Sequence, residues 1–318
     1  MTTPVSLVTG YLGSGKTTLI SRLLRHPGMG ETAVIVNEIG EIGIDHAILR
    51  RVDERTVLLA SGCLCCTLRG DLADELRDLL DRRDAGEIPA FRRVVVETTG
   101  LADPTPIVNT LLTEPLVRHH YALDAVIATV DAMHGLRGPE SVKQAAAADV
   151  LVLTKVDLVE PGALTAELRR LNPVGEIVES SLGDVPPERL LDRNGSMPRV
   201  VANGGDDDDH RHEHGVTSVS LVLEEPLDWT AFAIWLTMLL HARGADILRV
   251  KGLVDTGGEG PLLVNAVQHV VHPPEHLPAW PDGDRRSRLV FIGRGLDVDA
   301  LTESLRAFDA AASAGLSA

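Results

Sequence analysis

One octapeptide, Gly10-Tyr11-Leu12-Gly13-Ser14-Gly15-Lys16-Thr17, constrains the fold more than any other part of this 318-residue chain. It satisfies G-x-x-x-x-G-K-[ST]. The apolar run Val5 to Thr9 precedes it, and Leu19, Leu23 and Leu24 follow at helical spacing. A strand–loop–helix unit of this kind holds phosphate. Glycines at 10, 13 and 15 let backbone N–H groups turn inward, and the helix N-terminus favours negative charge. Ser14 completes the cradle. Lys16 is expected to reach the β and γ phosphates and the Thr17 hydroxyl to ligate Mg²⁺, with Thr18 next in the first turn.

Short apolar runs then alternate with helical segments. Thr32 to Asn37, Val57 to Ala60, Val94 to Val96, Ala125 to Val130, Val150 to Leu153 and Ile177-Val178 read as strands. Helical spacing fills 68–83 and about 104–112, 139–148 and 162–171. This pattern predicts an α/β fold, a P-loop NTPase parallel sheet with helices on both faces. Ligands of such sheets bind beyond the carboxyl ends of the strands, where every motif below falls. Near 183 the pattern stops at Pro186, Pro187, Asn194-Gly195 and Pro198. A polar run follows, ending in Asp206 to Asp209 and His210-Arg211-His212-Glu213-His214. Strands at 216–223, 247–254, 262–271 and 289–292 and helices at 227–241 and 298–308 then suggest a smaller C-terminal α+β domain. The expected organisation is a nucleotide-binding domain at 1–185, a linker at 186–215, an α+β domain at 216–310 and a frayed tail at 311–318.

Two further motifs complete a nucleotide site. Val94-Val95-Val96-Glu97-Thr98-Thr99-Gly100 puts an acid at a strand end and a glycine three residues on. That is the place for the Mg²⁺-side carboxylate and for a glycine that senses the γ-phosphate. Lys16 and Glu97 are the candidate catalytic residues, Glu97 orienting the attacking water or holding Mg²⁺ through water. No other side chain declares itself as the base, so a slow intrinsic GTPase is expected. Thr154-Lys155-Val156-Asp157 follows another strand. The Asp157 carboxylate can accept from guanine N1–H and the exocyclic amine, a donor pair adenine lacks. The Lys155 stem can lie along the base. Thr154 stands where asparagine is usual, which removes an amide able to brace the loop.

All three cysteines of the chain, Cys63, Cys65 and Cys66, fall within four positions. An odd number in one cluster, with no basic-then-apolar leader at Met1 to Thr9, does not suit a disulfide framework. It suits metal binding in a reducing, cytoplasmic setting. Small-hydrophobe packing or a redox pair are the competing readings, but C-x-C-C lacks the two intervening residues of a redox motif. Three thiolates leave a tetrahedral ion one ligand short, and the segment 36–46, with Glu38, Glu41, Asp45 and His46, could supply it. His210, His212 and His214 could collect divalent ions weakly, or simply solvate the linker. A net charge of −16 argues against a nucleic-acid partner. No apolar stretch approaches a membrane span.

G-x-L-G-S-G-K-T-T at 10–18, N-E-x-G at 37–40, C-x-C-C at 63–66, E-T-T-G-L-A-D-P at 97–104 and K-x-D at 155–157 together resemble the CobW-type metallochaperone GTPases. These are relatives of the GTPases that insert nickel into hydrogenase and urease. Arg249 to Gly252, Arg288 to Gly293 and Leu296-Asp297 resemble that family's second domain, so the likeness spans almost the whole chain. The resemblance implies GTP, Mg²⁺ and a carried metal, Zn²⁺ foremost, with Co²⁺ or Ni²⁺ as alternatives. It implies Cys65 and Cys66 as principal ligands, Cys63 as the third and Glu38 as a nearby carboxylate. It also implies a client apo-metalloprotein as partner, and a metal-dependent homodimer is a further expected assembly. Other readings remain at this stage: an activator dedicated to one enzyme (cobalamin-pathway cobalt insertion or nitrile hydratase), a small-molecule P-loop kinase, or a metal buffer. The kinase leaves C-x-C-C unexplained. The buffer leaves the phosphate loop, Glu97 and Asp157 unexplained.

Overall fold

The computed structural model of the chain describes residues 2–37, 57–61, 70–191 and 215–315. By its internal packing the chain divides into two compact units, Met1–Glu167 with Gly175–Ser196, and Leu168–Val174 with Met197–Ala318.

The first unit is built on a parallel sheet of seven strands: β1 (Thr3–Gly10), β2 (Thr32–Asn37), β3 (Val57–Ser61), β4 (Arg93–Glu97), β5 (Tyr121–Asp131), β6 (Val150–Thr154) and β7 (Glu176–Ser180), in the order β3-β2-β4-β1-β5-β6-β7. Its inner strands are apolar runs buried on both faces, such as Val94, Val95 and Val96, as a helix-covered parallel sheet requires. Helix α1 (Lys16–Leu23) packs Leu19, Ile20 and Leu23 against Val8, Val34, Val95, Ile127 and Val152. Helices α2 (Gly70–Asp84), α3 (Thr105–Thr113), α4 (Pro115–His120), α5 (Gly138–Ala147) and the part of α6 (Gly162–Leu171) up to Glu167 complete the unit.

The register aligns the carboxyl ends of the strands. Asn37 pairs with Ser61, Val36 with Glu97, Val8 with Glu97, Gly10 with Thr129, Asp131 with Thr154, and Thr154 with Ser180. The phosphate loop, Glu97 and Thr154 therefore leave the sheet along one rim.

Two features of this unit differ from the sequence expectation. Residues 186–191, assigned to the linker, close the core: Pro187–Arg189 forms a 3₁₀ turn, and Leu190 and Leu191 join the cluster around α1. The prolines that suggested a break start that turn, where a missing N–H costs nothing. The strand expected at 125 begins at Tyr121, directly after the short α4.

The second unit is an antiparallel sheet of β8 (Val216–Leu223), β9 (Ile247–Val254), β10 (Leu262–Val267), β11 (Val270–Val271), β12 (Glu275–His276) and β13 (Ser287–Arg294), ordered β11-β10-β9-β13-β8 with β12 on β10. Helices α7 (Trp229–Arg243) and α8 (Val298–Gly315) cover one face, with Phe232, Trp235, Leu240, Phe291, Leu301 and Leu305 at the centre. Asp228 caps α7 by accepting from Ala231 N–H at 2.8 Å. The single strand expected at 262–271 is a tight hairpin, with Val267 opposite Val270 and Gln268 at φ 50°. Gln268-His269 carries none of the Gly or Asn signals that mark such turns. The tail expected to fray from 311 continues α8 to Gly315. Arg288, buried in β13, makes a two-pronged ion pair with Asp282 at 2.6 and 2.8 Å, tying down the loop before the strand.

Candidate functional site

The loop from Gly10 to Lys16 turns on Gly13 (φ 72°) and Gly15 (φ 95°), left-handed conformations that other residues rarely adopt. Lys16 is 8% exposed, and its Nζ donates to Gly10 O at 2.8 Å and Tyr11 O at 3.3 Å. The ammonium thus folds over its own loop, on the loop's acceptor atoms. Burial lowers its pKa, and the Glu97 carboxylate opposes that effect. Thr17 Oγ1 donates to Glu97 Oε1 at 2.8 Å, and Glu97 is 4% exposed. A hydroxyl and a carboxylate held together at the end of β4 are hard oxygen donors, the chemistry Mg²⁺ takes. Thr18 lies exposed in the first turn of α1.

Four buried hydroxyls form a network under the loop. Ser14 Oγ lies 2.6 Å from Thr129 Oγ1, Thr129 Oγ1 donates to Thr9 O at 3.3 Å, and Thr98 Oγ1 donates to Thr9 Oγ1 at 3.0 Å. Gly100 presses on the same loop: a Cβ there would sit 2.6 Å from Leu12 N, so only glycine allows the approach.

On the base side, Thr154 Oγ1 donates to Ser14 O at 2.7 Å and to Val130 O at 3.3 Å. The sequence reading that a threonine here removes the brace is corrected: the hydroxyl ties β6 to the phosphate loop itself. Lys155 sits at φ 60°, and its Nζ donates to Gly13 O at 3.0 Å and to Asp131 Oδ2 at 2.6 Å. Asp157 is exposed at the rim, open to a base.

Asp131 was not singled out from sequence, although it ends β5 as Glu97 ends β4. It accepts from Met133 N–H at 2.9 Å and lies 2.7 Å from His134 Nδ1. Burial works against its ionisation, but the hydrogen bonds from His134, Lys155 and the Met133 N–H prevail and hold its pKa below the usual carboxylate range. A cleft opens beside it, lined by Tyr11, Ser14, Thr129, Asp131, His134 and Gln144 among others.

The Thr154 brace carries a prediction. Thr154→Val keeps the shape but leaves Ser14 O without its donor, which costs about 1–2 kcal/mol in stability. Chemical denaturation should read that loss, and calorimetry should read a roughly three- to ten-fold weaker nucleotide affinity as the loop loosens. Unchanged values in both would discard the brace.

Glu38, Cys63, Cys65, Cys66, His210, His212 and His214 lie outside the described residues. Among the described residues no group of three or more His, Cys, Asp or Glu is arranged to hold a metal ion. None of the described helices is long and apolar enough to cross a membrane.

Comparison with known proteins places the chain in a family. Residues 4–179 match the model described as CobW/HypB/UreG, nucleotide-binding domain, and residues 216–309 match the cobalamin synthesis protein cobW C-terminal domain. The chain belongs to the CobW/HypB/UreG family. Among CobW relatives it is similar to the zinc chaperone YjiA of Escherichia coli, 34% identical over 300 residues, which cover 91% of this chain and 93% of the relative. It is also similar to the zinc chaperone CobW of Pseudomonas aeruginosa, 32% identical over 355 residues, covering 95% and 90%. The crystal structure of Zn(II)-bound YjiA GTPase from E. coli superposes with a TM-score of 0.72 at 29% identity, over 97% of this chain and 99% of that one. The CobW-type resemblance read from the motifs and the expected α/β fold with its second domain are both borne out.

Proposed function

We propose that this CobW-family chain is a GTP-hydrolysing metallochaperone. It takes up a divalent transition metal, Zn²⁺ foremost, at Cys63, Cys65 and Cys66 beside Glu38, more tightly with GTP bound, and hands it to a client apo-metalloprotein. The chain is a GTPase. Lys16 receives the β and γ phosphates by exchanging its loop carbonyls for phosphate oxygens. Thr17 and Glu97 hold Mg²⁺, which neutralises phosphate charge when bound. Glu97 orients the attacking water, and Lys155 and Asp157 read the guanine.

The observation that carries the coupling is the strand order β3-β2-β4-β1. Asn37 and Ser61 are paired neighbours, so the segments that lead to Glu38 and to the cysteines leave the sheet side by side. The next strand over from β2 ends in Glu97, and β1, beyond it, delivers the phosphate loop. Strands spaced by about 4.8 Å set Asn37 and Ser61, the last described residues before the proposed metal segments, on the same rim as Glu97 and the phosphate loop, which supports the coupling. The reduced thiolates fit a cytoplasmic setting.

The zinc-chaperone names of the relatives support the metal, and thiolate ligands suit Zn²⁺. Linkage fixes the test, because a nucleotide that tightens metal must be tightened by metal to the same factor. Competition against a chromophoric chelator should show Zn²⁺ bound roughly ten-fold or more tightly with a non-hydrolysable GTP analogue than with GDP, within the usual five- to 150-fold range of about such couplings. A zinc affinity indifferent to nucleotide would overturn the carrier reading.

A further inference from the structure

We infer that Gln144 is the positioning residue that sets how strongly the site prefers GTP to GDP, by fixing the loop that meets the γ-phosphate. The inference rests on the GTPase reading above and names the group that tunes it.

Gln144 lies on α5 at 1% exposure, with Ser141 and Ala145 among the helix's other buried residues. A buried amide is costly unless its hydrogen bonds are made. Its Nε2 donates to Gly100 O at 3.2 Å and to Ala102 O at 3.0 Å. One nitrogen thus clamps two carbonyls of the loop that follows Glu97. Its Oε1 has no hydrogen-bond partner among the described residues, so the loop carbonyls are what this amide is held for. Gly100 is also pressed on Leu12 of the phosphate loop, too closely for any side chain. The adjacent Lys143 Nζ lies 3.5 Å from Asp103, on the same loop.

The peptide at Gly100 is therefore gripped between the phosphate loop and α5. Its place relative to the γ-phosphate seat is set by a donor that only an amide, not a carboxylate or an apolar chain, supplies. GDP has no γ-phosphate and makes no use of that position, so loss of the clamp weakens GTP selectively.

The test measures dissociation constants of the full chain with Mg²⁺ for GDP and for a non-hydrolysable GTP analogue, in Gln144→Met, which keeps volume without a donor, and in Gln144→Glu, which repels the carbonyls. The expected result is a loss of roughly ten-fold or more for the analogue in both variants, with GDP within about two-fold. Retained GDP binding certifies the fold. Equal weakening of both nucleotides, or a Met variant that discriminates as well as wild type, overturns the proposal. Should Gln144→Met not fold, Gln144→Glu and the half-exposed Lys143→Ala decide it by the same split between nucleotides. A wild-type chain that binds neither nucleotide would overturn the GTPase reading instead.

Discussion

Replacing Cys65 and Cys66 together by alanine is expected to weaken Zn²⁺ binding by about a thousand-fold or more while leaving GTP affinity within about two-fold. Structural zinc sites built from thiolates bind with about 10–16 kcal/mol near neutral pH. Removing two of three thiolates forfeits about half of the lower figure, and about 5 kcal/mol is more than three powers of ten. The residues proposed to hold the nucleotide, Gly10 to Thr17, Glu97, Gly100 and Thr154 to Asp157, do not include the cysteine segment. The variant should therefore separate the two halves of the machine. It should also erase the difference in zinc affinity between GTP analogue and GDP, since a coupling needs both ligands. Chelator competition in parallel with GTP titration reads all three quantities. A double variant that still holds Zn²⁺ as tightly as wild type would move the metal away from C-x-C-C. One that loses GTP in proportion would make the cysteines part of the nucleotide fold rather than a cargo site.

The sheet was legible because its signals are redundant: the runs at Val94 to Val96 and Val150 to Leu153 are apolar on both faces, and each ends in a motif. Registers that put Glu97 beside Val8 and Val36, and Thr154 beside Asp131, follow from that alternation of strands and crossovers. What escaped was set by single polar atoms or by packing. Leu190 and Leu191 looked like linker because two prolines precede them, yet two buried leucines outweigh a local break. Thr154 looked like a lost amide, but one hydroxyl suffices when the acceptor, Ser14 O, is 2.7 Å away. Gln144 carried a faint signal: a polar residue beside the buried Ser141 and Ala145 of its helix. Asp131 carried a clearer one, an acid at a strand's carboxyl end beside the loop that begins at Thr154.

The second large effect concerns the base. Asp157→Asn is expected to lower GTP affinity by about a hundred-fold or more and to raise affinity for xanthosine triphosphate by a comparable factor. A carboxylate offers two acceptors to guanine N1–H and its exocyclic amine, and both bonds are charge-assisted. An amide replaces one acceptor with a donor, so the amine of guanine meets an N–H and one bond becomes a repulsion. Xanthine carries an oxygen where guanine carries that amine, and it matches the amide with one bond in each direction. The rest of the base side does not depend on the exchange. Lys155 is still tethered to Asp131 and Gly13, and Thr154 still braces the phosphate loop. The exposed position of Asp157 gives the substitution little reason to disturb the core. Equilibrium titration with guanosine, xanthosine and adenosine triphosphates reads the specificity. A wild-type chain that prefers ATP, or a variant that loses all three nucleotides alike, would remove Asp157 from the base-reading role. A switch from guanine to xanthine with phosphate affinity intact means that one carboxylate, on a loop held by Thr154 and Lys155, decides which nucleotide drives the metal site.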